Sequence, residues 1–420
     1  MVQNPEFFQY LQQELIQAAA EQDKYELNTV NLIAPASPTP KKYTDTSRYL
    51  RANPIAEGLL GKRPYAGVAG FNKIESIAAL LARTLFSAEH ANVQPHSVSQ
   101  ANQAAYQALL ETGDRVLAME FQAGGHLTHG MRKNFSGRLY DFHFYGVDDE
   151  GLIDYVEMEK QASLLSPKMI VCGASSYPRV LDFEKLRAIA DKVGAYVLAD
   201  LSHPAGLVAA GRFPQPFPHC DVVTFTPDKT LLGPHGGVIL CRDSLKERID
   251  AAVHPGVQSS VPLHRILATA LCLSDAGQPK FTEYIDRLIL NIKQFELEFN
   301  RFPEVMVTGG TDTHLLVLNT LKTFGLTGKA SEEILENIGI LTNRQVVPAD
   351  TQKPYIASGL RLGTSWITGR GYSELESAKI ARIITTSFEN PQDTTLQARL
   401  KQEIDQLIQT SRPNDVWSEE

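Results

Sequence analysis

The sequence predicts an α/β protein in which a large domain on a mostly parallel sheet is followed by a smaller C-terminal α/β domain. Three observations carry this. Short apolar runs recur through the middle of the chain at Arg115–Met119, Lys168–Cys172, Ala195–Ala199 and Asp221–Thr226. Between two of them, Asp182–Val193 presents a helical apolar face (Phe183, Leu186, Ile189, Ala190, Val193), and strand, helix and strand at this spacing form the unit of a parallel sheet. After Ala276-Gly277 and Pro279 the pattern changes to a long amphipathic segment.

The elements follow in order. From Phe7 to Glu21 the composition favours a helix with an apolar stripe at Phe7, Leu11, Leu15 and Ala18. The polar, Pro-rich stretch after it (Pro35, Pro38, Pro40, Lys41, Lys42) is expected to be irregular. His96-Ser97-Val98-Ser99-Gln100 opens a helical run, Ala101 to Leu110, and Asp182 is placed to cap the helix that ends at Val193. Gly236–Cys241 follows Thr226 too closely for a helical crossover, so that pair is expected to be antiparallel. An amphipathic helix over Phe281–Phe299 then leads to a strand at His314–Leu318, a helix at Ala330–Ile338 and a final helix at Ser373–Phe388. Arg412 to Glu420 reads as a frayed end. The expected organisation is an N-terminal helical arm over 1–30, a large domain over 31–277 and a small domain over 278–420.

Composition sets the class. The 420 residues are 43% hydrophobic and 21% charged, enough for two or three domains at roughly 100–200 residues each. Lys and Arg number 40 against 48 Asp and Glu, a net charge of −8 with no basic tract, which argues against nucleic-acid and anionic-membrane partners. No window of about 18 apolar residues exists, and Met1 to Tyr10 lacks the basic-then-apolar pattern of a secretory signal, so a cytoplasmic protein is expected. Cys172, Cys220, Cys241 and Cys272 are widely spaced without a CxxC pair and read as buried free thiols.

Four features carry chemistry. Asp200 ends an apolar run, and carboxylates at the carboxyl ends of parallel strands face the ligand crevice, although a loop aspartate also commonly caps a helix; His203 lies three residues on. Lys229 sits in Thr224-Phe225-Thr226-Pro227-Asp228-Lys229-Thr230, just after another run, with Gly233, Gly236 and Gly237 beyond. Alone it fits a solvated turn lysine. Paired with Asp200 it fits a pyridoxal phosphate enzyme, which needs a lysine for the imine and a carboxylate for the pyridine nitrogen. Ser97, Val98, Ser99 and Gln100 at a helix N-terminus suit a phosphate or an ordinary serine cap. In Gly124–Gly130 the His126/His129 spacing hints at metal, but without a neighbouring carboxylate or Cys in sequence an aromatic lid over a planar cofactor fits better, and no metal is expected.

These segments, with Glu57-Gly58, Gly61-Lys62-Arg63, Ala88–Ser97, Asn134–Gly137, Gly151–Tyr155, Ala205–Gly211 and Arg361–Thr364, resemble serine hydroxymethyltransferase over nearly the whole chain. The resemblance implies a fold-type-I pyridoxal phosphate-dependent transferase of the aspartate aminotransferase-like class. It implies that Lys229 holds the cofactor as an imine, that Asp200 pairs with the pyridine nitrogen, that His203 lies near the phenolic oxygen and that His126 stacks on the ring. Ser97, Ser99 and Gln100 would hold the phosphate, with Ser175 and Thr226 nearby. Arg361 would clamp the substrate carboxylate, Glu57 would be the acid/base at the reacting carbon, and Tyr65 would line the site from the neighbouring subunit of a homodimer. The implied reaction cleaves or forms the Cα–Cβ bond of a β-hydroxy amino acid through a glycine quinonoid, with tetrahydrofolate capturing formaldehyde as serine becomes glycine.

Departures from the family pattern cluster around the same site. Pro35-Ala36-Ser37 stands in place of Ser-Glu-Asn, Ile55 and Pro64 replace tyrosines, Asp228 replaces a histidine and His235 an arginine. Ser259-Ser260 replaces two glycines that approach the phosphate across the dimer, Val98 replaces the glycine between the phosphate serines, and Gln345 takes the place of an asparagine near the folate. Asp228 beside Lys229 is expected to favour a protonated imine. A second reading is a folate-independent aldolase or transaldolase acting on threonine-like substrates, in keeping with Pro64, Phe121 and Gln345. A third, a non-catalytic paralogue, is opposed by the joint retention of Lys229, Asp200, His203, His126 and Arg361.

Overall fold

A computed structural model of the chain describes residues 5–51 and 55–411. Its strands are β1 (Val30–Asn31), β2 (His90–Asn92), β3 (Arg115–Met119), β4 (Asp141–Tyr145), β5 (Met169–Cys172), β6 (Tyr196–Asp200), β7 (Val222–Phe225), β8 (Val238–Cys241), β9 (Leu315–Leu318), β10 (Ile340–Leu341), β11 (Asn343–Gln345) and β12 (Gly359–Gly363). Seven of them form one sheet in the order β2-β8-β7-β6-β5-β3-β4. From β4 to β7 every pairing is parallel, and β8 runs antiparallel to both neighbours, as its short connection to β7 requires. β5 and β7 are buried along their whole length, the near-continuous apolar pattern of strands covered on both faces. Asp182 caps the helix Phe183–Val193 by accepting from the Lys185 amide.

Two further pairings complete the chain. β11, β12 and β9 form a three-stranded antiparallel sheet, and β1 pairs in parallel with β10. A large hydrophobic cluster covers one face of the seven-stranded sheet (a smaller one covers the other), and a second large cluster, built on Phe295, Phe299, Leu318, Leu362, Ile384 and Phe388, includes Val30 and Leu32. The helix Pro279–Phe299 belongs to both: Phe281, Tyr284, Ile285 and Leu288 pack in the first, Ile292, Phe295 and Phe299 in the second.

The structure corrects several sequence expectations. Strands β2 and β4 carry no strong apolar alternation (β4 is mostly exposed), so periodicity did not mark them. Lys41 and Lys42 lie in a four-residue helix, Lys41–Thr44, rather than in irregular chain, since Pro40 is tolerated at a helix start. The helix Glu374–Glu389, with Ser373 in a capping box, is followed by a further helix, Thr394–Thr410. The N-terminal helix extends over Pro5–Leu27, and none of its residues is buried, so the stripe at Phe7, Leu11, Leu15 and Ala18 is left exposed. The expected frayed end at 412–420 lies outside the described residues. Among the described residues no helix is long and apolar enough to cross a membrane, and all four cysteines are buried and free.

Candidate active site

The carboxyl ends of β5, β6 and β7 lie side by side, because Cys172 pairs with Ala199 and Asp200 with Thr224. The segments that leave these ends share the crevice where open α/β sheets bind ligands. Gly173 makes this possible: its φ of 103° suits glycine, and a Cβ there would fall 2.0 Å from the Asp200 carbonyl oxygen.

Asp200 is buried and surrounded by donors. Asn102 Nδ2 donates to Oδ2 at 2.8 Å, Ser202 donates to Oδ1 through its amide (3.1 Å) and its hydroxyl (2.5 Å), and His129 Nε2 lies 3.3 Å from Oδ2. Burial alone would raise this carboxyl, but the hydrogen bond and charge of His129, with His126 and Ser202, hold it well below the usual carboxylate range. Asn102 is itself fixed, accepting from Thr224 Oγ1 at 2.6 Å and donating to Thr128 Oγ1 at 2.9 Å. Asp200 is thus a fixed, ionised carboxylate. His126 Nδ1 lies 2.7 Å from Thr128 Oγ1, and burial pushes its imidazole down to about 4.

His203 is buried, and burial, with the Lys229 charge next, keeps it well below the ordinary histidine value. Its ring stacks on His314 with centroids 5.3 Å apart, and Nδ1 lies 3.3 Å from His314 Nε2, which also lies 3.2 Å from the Ala34 carbonyl oxygen. His314 is likewise pushed down, to about 3, by burial. Two neutral imidazoles therefore connect the Asp200 loop to the turn that contains Pro35.

Lys229 lies on the turn after β7. Burial pulls its ammonium down to about 8, opposed by the Asp200 charge. Thr230 anchors the turn, accepting from the Gly206 amide at 2.9 Å and donating to the His203 carbonyl at 2.8 Å. Asp228 turns its carboxylate toward Thr226 Oγ1 and His235 Nδ1, each at 2.5 Å, and its charge is the weakest of the named influences on Lys229. Ser37 Oγ donates to the Asp228 carbonyl at 2.8 Å, so the Pro35-Ala36-Ser37 turn is tied to the lysine turn.

The helix Val98–Leu109 begins at the same crevice. Ser97 caps it, accepting from the Gln100 amide at 3.2 Å. The Gln100 side chain is committed to backbone, accepting from the His96 amide at 2.5 Å and donating to the Val257 carbonyl at 3.0 Å. A Cβ on Gly237 would fall 2.3 Å from the Ser97 carbonyl oxygen, so glycine is what lets the strand that follows approach this helix start. Val98 is half-buried and Ser99 exposed; Ser259 and Ser260 are exposed, with the Ser260 carbonyl 3.1 Å from His96 Nε2.

Arg361, on β12, reaches in from the three-stranded sheet. Its Nε donates to Asn343 Oδ1 at 3.2 Å and its Nη1 to the Ser175 carbonyl at 2.7 Å, while the Ser175 amide donates to the Gly124 carbonyl at 2.8 Å. Burial lowers the Arg361 guanidinium to about 10, still a cation at neutral pH. Neither bond uses Nη2, which leaves one end of the fork available to a carboxylate. Glu57 and Tyr65 form a separate group: the Tyr65 hydroxyl donates to Glu57 Oε2 at 3.5 Å, and His254 Nε2 lies 3.5 Å from Oε1. Among the described residues these contacts do not reach Lys229, Asp200, His126 or Arg361.

Sequence reasoning missed Asn102, Thr128, Ser202, His314 and Asn343 as parts of this site. Ser202 and Thr128 lie inside segments already singled out, but nothing local distinguishes Asn102, His314 or Asn343 from ordinary polar positions. The structure also supplies the carboxylate that His126 and His129 lack in sequence: with Asp200, their ligand atoms lie within 4.8 Å of one another. Asp200 there is already held by Asn102 and Ser202, and His126 by Thr128.

A buried lysine amine of lowered basicity, a fixed carboxylate at the end of the neighbouring strand, an imidazole pair and a helix N-terminus with two hydroxyl residues form one cleft. The chain matches the family model described as serine hydroxymethyltransferase over residues 8–384. It is also 45% identical over 381 residues to a serine hydroxymethyltransferase of Mycoplasma mycoides subsp. mycoides SC, an alignment covering 90% of this chain and 92% of that protein. With this likeness running through both sheets, the chain belongs to the serine hydroxymethyltransferase family.

Proposed function

We propose that this protein interconverts serine and glycine, using pyridoxal phosphate as cofactor and tetrahydrofolate as the one-carbon acceptor. The observation that carries this reading is the pairing of Lys229, whose amine burial brings down to about 8, with the permanently ionised Asp200 on the adjacent strand. The donor set fits the cofactor: an amine for its aldehyde, a carboxylate for its ring nitrogen, a neutral imidazole for its face and a helix start for its phosphate. When bound, the protonated ring accepts the electron pair released at Cα. Lys229 holds the cofactor, and Asp200 keeps the ring nitrogen protonated because its own proton affinity is so low. His126 would stack on the ring, and His203 would lie near the phenolic oxygen. Ser97, Val98, Ser99 and Gln100 form the phosphate end, with Ser175 and Thr226 at the flanks.

Arg361 binds the serine carboxylate through its free Nη2, held by Asn343 and the Ser175 carbonyl. Glu57 moves the proton at the reacting carbon. Because Glu57 and Tyr65 sit apart on an exposed loop, they complete the site of a second copy, as do Ser259 and Ser260, in a homodimer. The unburied helix Pro5–Leu27 and the exposed apolar side chains Ile55, Leu60, Tyr65 and Leu127 support that assembly. The same reading treats 1–30 as an arm, 31–277 as the cofactor-binding domain and 278–420 as the domain that delivers Arg361, and it places the protein in the cytoplasm. Likeness to a serine hydroxymethyltransferase through 92% of that relative's length does not favour the folate-independent aldolase. The test is Lys229→Ala: it removes both the visible absorbance of bound cofactor and glycine formation from serine. Unchanged absorbance would sink the reading.

A further inference from the structure

The residues assigned to the phosphate end, Ser97, Val98, Ser99, Gln100, Ser259 and Ser260, are all uncharged. A phosphate dianion would then be held by neutral donors and a helix dipole alone. We propose that Arg265 supplies the missing positive charge, as a further phosphate ligand beside the start of the helix Val98–Leu109; this rests on the pyridoxal phosphate reading above.

Arg265 lies in the first turn of the helix Leu263–Ala276. Its Nη1 donates to the His96 carbonyl at 2.6 Å, one residue before the Ser97 cap. Its Cδ lies 3.1 Å from where a Cβ on Gly236 would stand, and the next residue, Gly237, abuts the Ser97 backbone. The guanidinium is therefore wedged between the cap of the phosphate helix and the glycine turn beyond Lys229. Its Nη2 is buried and has no hydrogen-bond partner among the described residues, and no carboxylate among them pairs with it. A buried cationic N–H without an acceptor is costly to leave so, and burial here is enough to lower the basicity of the guanidinium. An oxyanion at the helix start satisfies it, and the planar fork suits a phosphate oxygen.

The test uses Arg265→Met and Arg265→Gln in the full chain, with binding of pyridoxal phosphate and of pyridoxal, which lacks the phosphate, to apoprotein. Removing one charge-assisted bond is expected to weaken pyridoxal phosphate binding roughly 10–100-fold while changing pyridoxal binding less than about 3-fold. The phosphorus NMR titration of the bound cofactor is expected to move toward ordinary phosphate behaviour in both variants, a signature that a packing role would not produce. Equal losses for the two ligands would assign Arg265 to packing and overturn the proposal. So would a fall in dimer content with ligand discrimination unchanged, or a variant indistinguishable from wild type. If the wild-type apoprotein itself does not discriminate between the two ligands, the phosphate site as a whole falls, and Arg265 with it.

Discussion

Arg63→Met should destabilise the protein far more than an ordinary arginine substitution, because the cation is fully buried. The Arg63 side chain is 0% exposed and its partner Glu75 6%. Arg63 also donates through Nε to the Ala56 carbonyl at 3.1 Å and through Nη1 to Asn72. Glu75 accepts from Gln94 Nε2 at 2.8 Å, and that same amide nitrogen lies 3.2 Å from the Gly58 carbonyl. The network therefore grips the chain on both sides of Glu57. Methionine fills similar volume but leaves Glu75 buried without a cation, a loss of about 3–5 kcal/mol, with about 1 kcal/mol more for the unpaired Ala56 carbonyl. Arg63→Met with Glu75→Leu removes both charges and should cost less than Arg63→Met alone. Urea unfolding of the three proteins measures this, and serine turnover should lose kcat because Glu57 is no longer held. A single variant within about 1 kcal/mol of wild type, or one no worse than the double variant, would refute the reasoning.

Other expectations concern the site directly. Lys229 is a nucleophile only when neutral, and burial lowers it to about 8, so the rate of cofactor capture by apoprotein should rise with pH to a plateau with its midpoint near that value. At neutral pH this makes the reactive fraction about 300-fold larger than for an ordinary lysine. Asp200→Asn removes a charge that raises Lys229 and should move the midpoint lower; a midpoint near the ordinary lysine value would contradict the burial argument. Arg361→Lys keeps the charge but loses the fork fixed by Asn343 and Ser175, and should raise the KM for serine roughly 10–100-fold with the fold unchanged by circular dichroism. His235→Ala should alter stability by less than about 1 kcal/mol in thermal melts, since its side chain is 70% exposed despite the contact with Asp228.

The parts of this site that were legible in the sequence sit at strand ends. Asp200 and Lys229 follow apolar runs whose length and spacing define parallel strands, and Ser97 precedes a helical run, so local pattern and crevice geometry together locate them. The supporting residues were not legible, because long-range folding brings them in. Asn102 and Thr224 are 122 residues apart, and His203 and His314 are 111 apart. The direction of the Asp228 side chain was equally hidden: adjacency to Lys229 suggests a charge partner, while the turn aims the carboxylate at Thr226 and His235. Strand β4 escaped notice because an edge strand with an exposed face lacks the apolar run that marks β5 and β7.

The most direct measurement is glycine formation from serine by the purified holoprotein, with and without tetrahydrofolate. Rapid turnover that depends on tetrahydrofolate, with one-carbon transfer to it in equal amount, is the expected result. Glycine formation at the same rate whether or not tetrahydrofolate is present, or none in either case, would contradict the proposed function.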